Sequence, residues 1–92
     1  MYRPKLGQNI YIVFTSDSIT LDKVVMKGKD DFAVSMTFNE LFNDAYRKPI
    51  RYDEYGVLWF TSLTAAKKAI GIGKNEQIVK YSDDYWEVVN KT

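Results

Sequence analysis

The chain has 92 residues with 13 basic and 12 acidic side chains, a net charge of +1, no cysteine and no histidine. That composition excludes disulfides, thiol or imidazole nucleophiles and the usual zinc sites, leaving carboxylates, lysine and tyrosine for proton transfer. Balanced charge creates no overall field for nucleic acid or anionic lipid, and a hydrophobic share of 46% suits one packed core in a single domain spanning residues 1–92.

In chain order, residues 9–14 alternate, with Ile10, Ile12 and Phe14 facing one way and Tyr11 and Val13 the other, which predicts a strand. Residues 15–20 (TSDSIT) carry short side-chain oxygens that bond their own backbone, which predicts a turn or exposed loop. Residues 21–27 and 32–36 then read as a hairpin closed by Gly28, Lys29, Asp30 and Asp31, with Val24 and Met26 on one face of the first strand, Lys23 and Val25 on the other, and Phe32, Val34 and Met36 inward on the second.

From Thr37 the period changes. Phe38, Leu41, Phe42 and Ala45 share one helical face, and Thr37 with Glu40 has capping-box spacing, so a short helix is expected before Pro49. Residues 50–55 read as a strand, Gly56 as a turn, and Val57, Leu58, Trp59 and Phe60 as a central strand covered on both faces. Thr61 and Ser62 offer a helix cap. Leu63, Ala66, Ala69 and Ile70 form an apolar stripe opposite Lys67 and Lys68, and Gly71 and Gly73 end the helix. Residues 77–81 and 85–89 make a terminal hairpin around Ser82, Asp83 and Asp84. Every strand pair is separated by less than a parallel crossover needs. The fold class is therefore α+β: a strongly curved antiparallel sheet or partly open barrel, with a short helix between strands, one covering helix and a C-terminal hairpin.

The segments GQNIYIVF, GKDDFAV and EYGVLWFTSLTAAKKAI resemble small phage and mobile-element proteins of Gram-positive bacteria that look like Src-homology-three or Tudor-type barrels followed by a helix. The specific part is Trp59, Phe60, Thr61, Ser62, Leu63, Ala66 and Lys67; residues 75–92 lie beyond it. The resemblance implies a cytoplasmic accessory protein of host and phage interplay and brings no catalytic residue with it.

Three acidic pairs, Asp30 with Asp31, Asp53 with Glu54 and Asp83 with Asp84, have the chemistry to share a proton or clamp Mg2+, but each falls in a predicted turn where Asp bonds its own backbone. Gly71, Gly73 and Lys74 end like a phosphate loop, yet a helix precedes them and Asn75 follows, so a helix cap is the better reading. No cofactor or metal is expected. Tyr52, Asp53, Glu54, Tyr55, Tyr81, Asp83, Asp84, Tyr85 and Trp86 combine aromatic area with charge near turns, the composition of protein-docking surfaces, and are expected to face a host protein. The competing reading is cross-strand packing between hairpins. Arg47, Lys48, Arg51, Lys67 and Lys68 are the cations on which a nucleic-acid-binding barrel would depend. A polar N-terminus and the absence of a run near ~18 apolar residues predict neither signal peptide nor membrane span, and a cytoplasmic location. The expected function is non-enzymatic protein binding, as a phage-encoded modulator or inhibitor of a host defence protein such as an anti-CRISPR.

Overall fold

The computed structural model describes residues 2–13, 15–35 and 49–91. Among the described residues it is a small α+β fold in which five strands form a strongly curled antiparallel half-barrel, with one α-helix and a C-terminal hairpin of two further strands. The helix expected over residues 37–46 lies outside the described residues, as do Phe14, Met36, Arg47 and Lys48.

The longest strand is the spine. β1 (Asn9–Ile12) pairs with β2 (Ser18–Lys27) along one edge, from Asn9 opposite Lys23 to Ile12 opposite Thr20. β2's other edge is shared by β3 (Asp31–Val34) at Val24 to Lys27 and by the last strand at Ser18 to Thr20. The polar run that reads as a loop thus ends early, because pairing with the distant C-terminal strand recruits Ser18, Ile19 and Thr20. A bulge between Val24 and Met26 bends the β2–β3 hairpin and turns Met26 out to solvent.

β4 (Ile50–Arg51) extends β3, and Tyr52–Glu54 then forms a single 3-10 turn instead of more strand. The Glu54 carboxylate reaches back to accept from the Arg51 N–H at 3.0 Å, closing the turn. Gly56 takes φ 86° and its N–H donates to the Trp59 carbonyl at 2.9 Å, so Val57 lies on the turn, 76% exposed. That corrects the strand expected from Val57. β5 is only Trp59–Phe60, and it stands at the end of the hydrogen-bonded order β4-β3-β2-β1-β5 rather than in its centre. Both of its faces are nonetheless covered.

α1 (Leu63–Ile70) starts at Ser62, whose hydroxyl accepts the Ala65 N–H at 3.2 Å, and stops at Gly71 in the left-handed region. Ala66 is buried, Leu63 and Ile70 are half-buried, and Ala69 falls outside the contact stripe. β6 (Glu76–Ser82) and β7 (Tyr85–Asn90) form the terminal hairpin, with a bulge between Lys80 and Ser82.

The sheet divides the buried residues into two clusters, where composition suggested one core. Ile10, Ile12, Val24, Phe32, Val34, Ile50, Tyr52 and Trp59 fill the half-barrel. On the opposite face Ile19, Phe60, Ala66 and Trp86 pack with Tyr11, Leu21, Leu63, Ile70 and Ile78 beneath α1. Adjacent residues Trp59 and Phe60 point into different clusters, so two residues of strand tie both layers together.

Candidate functional site

Alternation sorts the aromatic residues. Tyr52 follows exposed Arg51 and precedes exposed Asp53, and its ring turns inward to 1% exposure. It stacks on Phe32 at 5.6 Å, lies under the Arg3 guanidinium at 4.6 Å and donates its hydroxyl to the Gly28 carbonyl at 2.9 Å. Trp86 is 5% exposed and sits opposite Ile19 in the layer beneath α1, its ring 5.8 Å from Tyr11. Neither ring is on the surface where the sequence reading put it. Both are core rings: alternation along β7 turns Trp86 inward, and Tyr52 keeps the inward side of Ile50 as β4 passes into the 3-10 turn.

The loop after β4 is mostly self-satisfied. Arg51 makes a bidentate pair with Asp53, Nε to Oδ1 at 3.0 Å and Nη2 to Oδ2 at 2.8 Å. Arg51 is raised and Asp53 lowered from their ordinary values, each chiefly through this hydrogen bond. Glu54 closes the turn. Tyr55 stacks on Tyr2 at 5.2 Å and lies 4.6 Å from Trp59, leaving it 41% exposed. The Trp59 indole N–H donates to the Arg51 carbonyl at 3.0 Å, fixing this loop to the half-barrel.

The other half of the expected surface stands open. Tyr81 is 74% exposed and meets Tyr85 edge-on at 6.1 Å. Asp83 is fully exposed at the turn and lies 3.6 Å from the Lys80 ammonium, while Asp84 accepts from the Ser82 hydroxyl at 2.9 Å. Pairing of Ser18 with Glu87 and Thr20 with Tyr85 brings Asp17, a carboxylate that the linear sequence did not group with this hairpin, near Tyr85 and Glu87 of β7. The effect of these two carboxylates reaches the Tyr85 phenol, which is raised above its ordinary value by partial burial first, then by its hydrogen bond to Glu87 and by the negative charge of Glu87 and Asp17. The result is an aromatic pair, Tyr81 and Tyr85, with the carboxylates of Glu87 and Asp17 near Tyr85 and that of Asp83 exposed at the adjoining turn. Among the described residues no group of three or more carboxylates is close enough to hold a metal ion.

Among the described residues the candidate cations do not converge. Arg51 borders a small pocket with Arg3, Asp30, Tyr52 and Asp53. Lys67 and Lys68 belong to a different surface, an open groove of about 520 Å³ between α1 and β6 that also takes in Thr64, Ile72, Glu76 and Lys91. No helix among the described residues is long and apolar enough to cross a membrane. No protein-family model matches this chain, and neither a curated protein nor a solved structure shows significant similarity to it.

Proposed function

We propose that this chain is a non-enzymatic protein-binding module that presents the tyrosine pair of its terminal hairpin, with the carboxylates near it, to a cationic surface on a protein partner. The observation that carries the reading is Tyr81, a large ring 74% exposed that meets Tyr85 edge-on, with the Asp83 carboxylate exposed at the adjoining turn and held only by a long contact with Lys80. Exposed tyrosines supply rigid contact area at small entropic cost, and ring faces flanked by carboxylates favour arginine and lysine. The resemblance around Trp59 to Lys67 supports the narrower form of this reading. In that form the module is encoded by a phage or mobile element, works in the cytoplasm and modulates or inhibits a host defence protein, as an anti-CRISPR does.

The test is capture of a discrete partner from host lysate by the immobilised chain, compared with Tyr81→Ala and Asp83→Lys. Both side chains are exposed, so the variants keep the fold, and both should abolish the partner band. Undiminished capture by both would contradict the proposal.

A nucleic-acid-binding reading rests on the groove bordered by Lys67, Lys68 and Lys91. It requires an affinity that falls steeply with salt, and a filter-binding series between low and physiological salt decides it.

A further inference from the structure

β6 lies at the margin of the sheet. The Lys91 N–H donates to the Asn75 carbonyl at 2.7 Å, which makes Asn75 and Lys91 a hydrogen-bonded pair of the β6–β7 ladder. Alternation along an antiparallel ladder then directs the backbone groups of Gln77 and Val79 toward Val89 and Glu87. The N–H and C=O groups of Glu76, Ile78 and Lys80 therefore point the other way, the Glu76 N–H being already donated to the Gly73 carbonyl at 3.1 Å and the groups of Ile78 and Lys80 forming the rest of the edge. Among the described residues no strand pairs with that side of β6. A row of outward amides on a seven-residue strand is a template for another strand.

We propose that the second strand is β6 of another copy of this chain, paired antiparallel about a two-fold axis at Ile78, so that one sheet runs through both molecules. Charge selects the register. Outward residues face outward residues when the axis passes through residue 77, 78 or 79. An axis at Gln77 sets Lys80 opposite Lys74 of the second copy, and one at Val79 sets Glu76 opposite Ser82. Only the axis at Ile78 opposes Glu76 to Lys80, and symmetry makes that pair twice.

The same register carries the acidic turn of each copy, Asp83 and Asp84, toward the start of the other's β6. There Lys74 precedes the strand, and Lys67, Lys68 and Lys91 border the groove beside α1. The existing bonds of these side chains do not compete strongly. Glu76 gives one oxygen, Oε1, to the Gly73 N–H at 2.7 Å, and the contact of Lys80 with Asp83 is long and solvent-exposed.

This pairing goes beyond the partner-binding reading. It occupies the backbone edge of β6, whereas that reading uses the rings of Tyr81 and Tyr85 on the sheet face. Either can fail without the other.

Sedimentation equilibrium over a dilution series tests the pairing, with circular dichroism to confirm folding. The wild-type chain should show a concentration-dependent monomer–dimer equilibrium. Lys80→Glu and Glu76→Lys should each weaken the dimer at least about tenfold, because each sets like charges opposite one another twice. An equimolar mixture of the two variants should recover a dimer, since each chain then supplies the charge the other lacks. Tyr81→Ala should leave the dimer intact. A wild-type chain that stays monomeric at the highest concentrations, including one whose β6 edge is filled instead by a different protein, overturns the proposal. So does a dimer indifferent to Lys80→Glu, or a mixture that fails to recover one.

Discussion

One face of the sheet is closed at one end of the molecule and open at the other. At the closed end, Val24 on β2 joins Ile10, Ile12, Phe32, Val34, Tyr52 and Trp59 inside the half-barrel. Six residues earlier on the same strand, Ser18 shares that face with Glu87, and Thr20 shares it with Tyr85. Among the described residues nothing comparable curls over the rings there, and Tyr81 and Val79 stand partly or largely in solvent. The difference follows from strand length. β2 has ten residues, but β3 and β4 are short and bend back over only its C-terminal half, whereas β6 and β7 leave the barrel as a hairpin. The outline agrees, at 45 × 30 × 21 Å with a radius of gyration of 13.2 Å, slightly above the roughly 12 Å of a compact chain this long. Buried side chains are thus concentrated at one end, and the other is the end proposed to bind a partner.

The largest expected effect compares the half-barrel with the layer on the opposite face, beneath α1, by removing one tryptophan from each. Trp59→Ala should cost about 4 to 5 kcal/mol in urea unfolding, since it empties the half-barrel and removes the indole bond to the Arg51 carbonyl. Trp86→Ala should cost less, about 3 kcal/mol, because its layer is thinner and lies nearer solvent. A larger loss from Trp86→Ala would make the layer beneath α1, and not the half-barrel, the main source of stability.

A smaller effect separates a buried tyrosine from an exposed one. Tyr52→Phe should lose about 1 to 2 kcal/mol by stranding the Gly28 carbonyl. Tyr81→Phe, at the open end, should fall within about 0.5 kcal/mol of wild type in the same measurement.

The smallest effect is an alkaline one. The Tyr85 phenol holds its proton more tightly in the folded chain than in the unfolded chain. Its contribution is therefore intact below the ordinary tyrosine value of ~10 and is lost as pH rises from there through the folded value. Tyr85→Phe should flatten that alkaline decline in a denaturant titration series, and an unchanged slope would remove Glu87 and Asp17 as neighbours that matter.

Elements specified by local chemistry were legible in the sequence. The alternation of residues 9–13, the Gly28 hairpin, the Ser62 cap with Gly71 behind α1, and the two runs around Asp83 and Asp84 all fold as their residues dictate. What escaped was set by partners far along the chain. Ser18, Ile19 and Thr20 look like loop until β7 supplies their ladder, and Asp17 meets the aromatic hairpin only through that pairing. Tyr52 and Trp86 were misplaced for a different reason. Charged neighbours suggested surface, although the alternation from Ile50 past Arg51 to Tyr52, and that along β7 for Trp86, already indicated an inward side chain. Val57 was drawn out of the strand by the Gly56 turn, whose span apolarity alone does not reveal.

Native-state hydrogen exchange compares the two ends most directly, and the Lys80→Glu chain is the one to use because it keeps the β6 edge free of a second copy. Amides of Ile10, Ile12 and Val24 should exchange only through global unfolding. Those of Gln77 and Val79, though bonded within the hairpin, should exchange through a smaller opening that leaves the half-barrel folded. Equal exchange free energies in β6 and in β1 would contradict the division of the molecule into a closed end that holds it together and an open end that is left for partners.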